Sequence, residues 1–203
     1  MTLTVLLAFA LTSFLIAVVP GPTVTVIVAN SLRAGTRAGL LNIAGTQAGL
    51  APMVLIVAAG LETVVALMAD WFLIVKMLGA AYLVWLGVRL WRSDGEIGSG
   101  EVAPPKGGYF WQGVLVIWSN PKVLLLLGAI VPNFVDPAVS AFWQTLVLGG
   151  TFMVIATACD MGYALLAGRA GRLLTKGRVR VVERISGTLL VGGGLWMAAL
   201  KRV

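Results

Sequence analysis

Two clusters of helix-breaking residues interrupt apolar runs that are otherwise long enough to cross a bilayer. Pro20-Gly21-Pro22 lies near the inner end of the first run, and Asn120-Pro121-Lys122 interrupts the fourth. Proline has no backbone N–H and its ring clashes with the carbonyl four residues back, so each break frees polar backbone groups. In hydrocarbon every unpaired group costs several kcal/mol, and broken backbone is tolerated only against protein or a water-filled cavity. A break in each half of a short membrane protein is the sequence pattern that marks a transporter's substrate site.

The membrane assignment rests on composition. The chain is 59% hydrophobic and 11% charged, with mean hydropathy +0.97. Its 203 residues leave room for about six spans of ~20 residues and no separate soluble domain. The apolar runs predict helices over roughly 3–29, 39–61, 69–91, 110–132, 141–168 and 181–200. A polar, Gly/Pro-rich stretch at about 93–108 reads as a linker between half-repeats of about 1–92 and 109–203, within one domain spanning 1–203.

The net charge of +7 would suggest nucleic acid in a soluble protein. Here its placement argues otherwise. Loops one, three and five carry Arg33, Arg37, Arg89, Arg92, Lys106 and the five basic residues from Arg169 to Arg180. Loops two and four hold Glu62, Asp70 and Asp136 without Lys or Arg. The odd loops are therefore expected in the cytoplasm and both termini outside, with Lys201 and Arg202 as a minority against. Trp71, Trp91, Trp111 and Trp143 fall near helix ends, as an interfacial belt places them. The first 32 residues hold no Lys or Arg, so the start reads as a retained span, not a signal peptide.

The halves also resemble one another. Gly45-Thr46 matches Gly150-Thr151, Lys76-x-x-Gly79 matches Arg184-x-x-Gly187, and Pro22 matches the Asn120 cluster. Three helices per repeat is an odd number, so successive repeats insert with opposite orientation. The expected fold is an all-α integral membrane protein of six transmembrane helices arranged as two inverted three-helix repeats.

Around the breaks lie the candidate substrate-binding residues. Pro20, Gly21 and Pro22 are followed by Thr23, Thr25 and Asn30, and at least two carbonyls one turn before the prolines lose their partners. Asn120, Pro121 and Lys122 form the second cluster. Lys122 lies about 16 Å into its helix, where a lysine costs at least ~2.5–3.5 kcal/mol. Asp160, the carboxylate inside the fifth run, is its candidate partner in coupling, and Tyr163 shares its helical face. Two roles stay open for Lys122 and Asp160: a buried ion pair locking two helices, or charges that substrate and proton compete for. Gln47 is polar at depth, lining a cavity or bonding a neighbouring helix. Lys76 is close enough to a helix end to snorkel.

Several classes are disfavoured. There is no histidine, and Cys159 is the one cysteine, which leaves few soft or borderline ligands for a transition metal. The same shortage removes the usual nucleophile–base pairs, so no enzyme and no cofactor are expected. A passive channel for small polar solutes or ions stays open as the alternative to a coupled transporter. A non-transporting scaffold would leave the intramembrane charges unexplained.

The chain resembles the LysE/RhtB amino-acid exporters (lysine exporter, threonine/homoserine resistance). The resemblance is carried by Pro20-Gly21-Pro22, by Asn30-Ser31-Leu32-Arg33-x-Gly35-x-Arg37-x-Gly39 and by Gly45 and Gly49. It continues through Leu78-Gly79-Ala80-Ala81-Tyr82-Leu83-x-Trp85-Leu86-Gly87, Asn120-Pro121-Lys122 and Val131-Pro132-Asn133-Phe134. It implies six spans, a bacterial cytoplasmic (inner) membrane, a homodimer, and efflux of amino acids or related metabolites driven by an ion gradient. The expected coupling ion is the proton. Gln47 falls where such proteins often carry an acidic or amide residue.

Overall fold

The computed structural model describes residues 1–60, 77–92, 105–136, 138–171 and 176–199. Among them every regular element is helical. Helix α1 spans Leu3–Val18, its first turn capped by the Thr2 hydroxyl, which accepts from the Val5 N–H. It stops where Pro20 and Pro22 remove the next N–H groups. Helix α2, Pro22–Ala34, begins on Pro22, at the first helical position, where a missing N–H does no harm. It ends at Gly35, whose φ of 82° favours glycine and turns the chain directly into α3, Thr36–Ala59. Helix α4 is described over Met77–Trp91.

The second half repeats the broken opening. Helix α5, Gly108–Trp118, is followed by α6, Pro121–Leu125, capped by the Asn120 side chain accepting from the Lys122 N–H. The chain continues through a π-helical turn, Leu126–Ile130, and a 3₁₀ turn, Val131–Phe134, which accommodate Pro132. Helices α7, Ala141–Gly171, and α8, Lys176–Ala199, complete the chain.

Helices α3 and α7 are each long and apolar enough to cross a membrane. Two further spans result if α1 and α2, bent by 51°, count as one and α5 with residues 121–134, bent by 48°, as another. The runs expected over 3–29 and 110–132 are thus broken where Pro20–Pro22 and Asn120–Lys122 interrupt them in the sequence. The fifth expected helix runs three residues longer, to Gly171, and the sixth starts at Lys176 instead of near 181. Lys76, Glu62, Asp70, Trp71, most of the 93–108 linker and Lys201-Arg202 lie outside the described residues.

Leu3, Leu7, Leu11 and Leu15 stand exposed at four-residue spacing along α1, as a hydrocarbon-facing stripe requires. Inside, one core of Phe9, Val54, Leu126, Val131, Leu148 and Phe152 joins α1, α3, α7 and the π/3₁₀ segment. A second joins α2, α4, α5 and α8 through Val26, Leu83, Leu86, Val116 and Leu190.

Small residues set how closely the helices approach. A methyl at Gly87 would lie 2.6 Å from the Gly187 carbonyl, and one at Gly187 would lie 2.6 Å from the Gly87 carbonyl. Gly194 meets the Ala80 carbonyl further along, so α4 and α8 run antiparallel. Thr36 against Gly168, Gly39 against Ala164 and Val54 against Gly149 make α3 and α7 antiparallel as well. At the crossing of α3 and α5, Gly45 packs on the Phe110 backbone and Gly113 on the Asn42 backbone.

The Gly-Thr pairs that matched in sequence therefore differ in surroundings. Gly45 has backbone in the path of any side chain, whereas nothing lies within 4 Å of the position a Gly150 side chain would take. Gly45→Ala is expected to lose about 1–3 kcal/mol through forced separation of α3 and α5. Gly150→Ala should be neutral or stabilising by up to about 1 kcal/mol from helix propensity. Thermal unfolding of the two purified variants in one detergent checks the contrast.

Candidate functional site

The two breaks face each other across one small cavity. It is lined by Gly21, Thr23 and Val24 from the first break, Asn120, Lys122 and Val123 from the second, and Thr46, Gln47 and Asp160 from α3 and α7. Its volume is about 30 Å³, room for roughly two water molecules.

Missing proline N–H groups explain how the site is wired. In a continuous helix the Ile16 carbonyl would accept from residue 20 and the Val18 carbonyl from residue 22, and both are prolines. The second half supplies replacements. Lys122 Nζ donates to the Ile16 and Val19 carbonyls, each at 2.8 Å, and the Tyr163 hydroxyl donates to the Val18 carbonyl at 2.7 Å. A hydrogen bond to a charged group is worth about 1.5–3 kcal/mol. Two of them, at the negative end of the α1 dipole, match the ~2.5–3.5 kcal/mol cost of placing a lysine at this depth.

The second break needs no such help. Asn120 N–H bonds the Ile117 carbonyl that Pro121 leaves free, and Ser119 bonds the Leu115 carbonyl through both its N–H and its hydroxyl. The Asn120 amide then reaches across to donate to the Thr23 hydroxyl at 2.7 Å. So the breaks differ in chemistry: the first presents carbonyl acceptors filled by an ammonium, while the second caps itself.

Of the residues singled out in the sequence, Gly21, Thr23, Gln47, Asn120, Lys122 and Asp160 meet at the cavity. Pro20, Pro22 and Pro121 shape the backbone around it without lining it. Asp160 is 6% exposed and shares the cavity with Lys122, but the two form no ion pair within 4 Å. The lysine is held by the carbonyls instead. Tyr163 likewise bonds the Val18 carbonyl and not Asp160. Gln47 lines the cavity, and its Oε1 has no hydrogen-bond partner.

Asn30 stands apart, nine residues beyond Gly21, in a polar layer nearer loop one. Its Nδ2 donates to Asn42 Oδ1 and, at 2.8 Å, to Gln112 Oε1, while Asn42 Nδ2 donates to the Tyr109 carbonyl. The same layer holds an ion pair. Arg33 Nε lies 2.9 Å from Glu183 Oε1, close but not aligned as a hydrogen bond, and Glu183 is completely buried. These contacts join α2 and α3 to α5 and α8 on one side of the site. On the other side, Phe9 and Phe134 meet edge to face at 5.2 Å within the first apolar core.

Glu183, Asn42 and Gln112 were not picked out from the sequence. Glu183 sits among Arg178, Arg180 and Arg184, within the run expected as the sixth helix. Its pairing with Arg33, 150 residues away, needs the helix packing to be seen.

Comparison with known proteins agrees with this architecture. Residues 14–200 match the family described as LysE type translocator. The chain belongs to that family. An uncharacterized membrane protein of Vibrio cholerae is 33% identical over 204 residues, covering 99% of this chain and 100% of the relative. A homoserine/homoserine lactone efflux protein of Salmonella typhimurium is 33% identical over 198 residues, 96% of each chain. A leucine efflux protein of Salmonella choleraesuis is 27% identical over 193 residues, 92% of this chain and 91% of the relative. No solved structure matches. As a LysE-type translocator the protein is a transmembrane efflux transporter and not an enzyme.

The buried ion pair predicts an asymmetry. Arg33→Gln leaves Glu183 charged and unpaired in a dry site and is expected to cost about 3–5 kcal/mol. Glu183→Gln removes the buried charge, and Arg33, 24% exposed, can still reach solvent, so its cost should be smaller by at least about 1 kcal/mol. Equal destabilisation in paired thermal melts would contradict this account.

Proposed function

We propose that this LysE-type translocator is a secondary active exporter of amino acids or closely related small metabolites, moving them out of the bacterial cytoplasm across the inner membrane. The observation that carries the reading is the meeting of both broken spans at one cavity that holds Lys122 and Asp160 in an otherwise largely apolar lining. The relatives named for homoserine, homoserine lactone and leucine efflux point to small substrates that share an α-amino group.

The architecture behind it is six spans in two inverted three-helix repeats. Its support is the order broken span, long helix, further helix, which occurs twice among the described residues. The reciprocal Gly87–Gly187 contact between antiparallel α4 and α8 is the contact that a two-fold axis in the membrane plane would generate. In such an arrangement the halves rock about the cavity. The layer of Arg33, Glu183, Asn30, Asn42 and Gln112 would then part to admit substrate from the cytoplasmic side, where the basic loops one, three and five are expected. Polar groups suit that side because water replaces their bonds when the layer opens. The apolar contact of Phe9 and Phe134 would part for release.

In the bound state the substrate carboxylate lies against Lys122 and the N–H groups at the start of α2, with the ammonium near the α1 carbonyls and Asp160. Asp160 and Lys122 are the coupling residues, and a proton gradient is the driving force. Termini on the periplasmic side and a homodimer complete the reading. A passive channel fits less well, since two of the relatives are named as efflux proteins and the cavity holds a lysine and a carboxylate that coupling can use.

Proteoliposomes preloaded with radiolabelled leucine, homoserine or other amino acids test this. Wild-type protein should release at least one of them saturably, faster under an imposed proton gradient, and Lys122→Ala that is correctly inserted should release it at under about a tenth of the rate. Flux that neither saturates nor responds to the gradient would favour the channel. Full activity in Lys122→Ala would remove Lys122 from the mechanism.

A further inference from the structure

The Lys122 ammonium occupies a site built for a cation. Two carbonyl oxygens, Ile16 and Val19, converge on Nζ at 2.8 Å each, at the negative end of a 16-residue helix. One of these carbonyls is open to it because Pro20 cannot donate, and the side chain lies against Gly21, where a Cβ would be 3.5 Å from both Cε and Nζ. Nothing in this arrangement is specific to lysine. Any primary ammonium at the same point would make the same contacts.

The cavity beside it has about 30 Å³, room for roughly two waters, so an amino acid can seat fully within it only if a lining group moves. The lining combines small residues such as Ala17, Gly21 and Ala156 with the longer Gln47, Leu50, Ile117 and Phe152. Among them Lys122 alone carries a cation, on a flexible stem ending in three rotatable donors. A second place for its charge is already present, because Asp160 lines the same cavity without an ion-pair partner within 4 Å among the described residues.

We propose that the Ile16 and Val19 carbonyls are the subsite for the substrate's α-ammonium group, and that Lys122 is its tethered occupant while the transporter is empty. The inference rests on the amino-acid export reading above. Substrate loads by exchanging its ammonium for the lysine's on the two carbonyls, and the displaced Lys122 swings toward Asp160 or the substrate carboxylate. The exchange replaces one cation by another at the helix end, so neither the α1 carbonyls nor the lysine is left unpaired at depth. Ligands are then selected by a primary ammonium, and a carboxylate is secondary. A free amine with the carboxylate removed should still bind. A hydroxy acid with the amine removed should not.

Competition against radiolabelled L-leucine and L-homoserine on wild-type protein tests this with L-leucinol and L-homoserine lactone as amine-only probes and 2-hydroxy-4-methylpentanoate as the acid-only probe. The amine-only probes are expected to compete within about tenfold of the parent amino acid, and the hydroxy acid at least about a hundredfold more weakly, a difference of two hydrogen bonds to a charged group. Lys122→Met removes the tethered competitor and is expected to bind L-leucinol about tenfold more tightly while losing transport. Lys122→Gln, which keeps a donor for one carbonyl, serves if the methionine variant does not fold, and should tighten L-leucinol binding by a smaller factor.

Competition by the hydroxy acid but not by the amines, with leucine or homoserine transport intact, overturns the subsite and leaves export standing. Unchanged or weaker L-leucinol binding in a folded Lys122 variant overturns the exchange. Failure of wild-type protein to bind or move any of these compounds overturns the export reading and the subsite together.

Discussion

Two missing hydrogen atoms organise this molecule. Pro20 and Pro22 cannot donate to the Ile16 and Val18 carbonyls, and in hydrocarbon those oxygens have no water to turn to. They are satisfied by Lys122 and Tyr163, both from the second half of the chain. The break in the first span is therefore stable only while the second half is docked against it. Lys122 in turn is tolerable at depth only because those carbonyls are there. Each half supplies what the other lacks, and a local backbone defect becomes a long-range constraint on how the halves fit. The same dependence lets a ligand act on the packing: a group that competes for the carbonyls also loosens the tie between halves.

The two breaks look alike in sequence and angle but divide the work. The first bends by 51° and exposes acceptors that need outside donors. The second bends by 48° and closes on itself through Ser119 and Asn120, leaving Lys122 free to point across the cavity. Had both breaks been self-capped, Lys122 would have had no acceptors. Had both been open, the interior would carry more orphan carbonyls than donors. Two unequal breaks resolve this where two identical ones would not.

Much of this was legible from residue types. The positions of both breaks, the cost of an intramembrane lysine and the loss of two carbonyl partners follow from proline geometry and transfer energies alone, and the carbonyls proved to be Ile16 and Val18. The site residues Gly21, Thr23, Gln47, Asn120, Lys122 and Asp160 do converge. What stayed hidden was partner choice. Lys122 has an acidic neighbour and two backbone acceptors within reach, and only the packed geometry shows that the carbonyls hold it. Backbone oxygens carry no letter in a sequence, so side-chain reasoning overweights the carboxylate. Asn30 was drawn to the site for its proximity to the break, yet nine residues of helix carry it about 13 Å away into another layer. Glu183 went unremarked in the sequence, and its complete burial follows from helix packing that the residues on either side do not announce.

The contacts on the two sides of the cavity differ in chemistry. On the side of Arg33 and Glu183 they are amide hydrogen bonds and an ion pair with a completely buried carboxylate. Parting them leaves a charge and several amides in need of partners, so water must follow them in. On the side of Phe9 and Phe134 the contact is apolar, and parting it exposes surface that water cannot compensate with bonds.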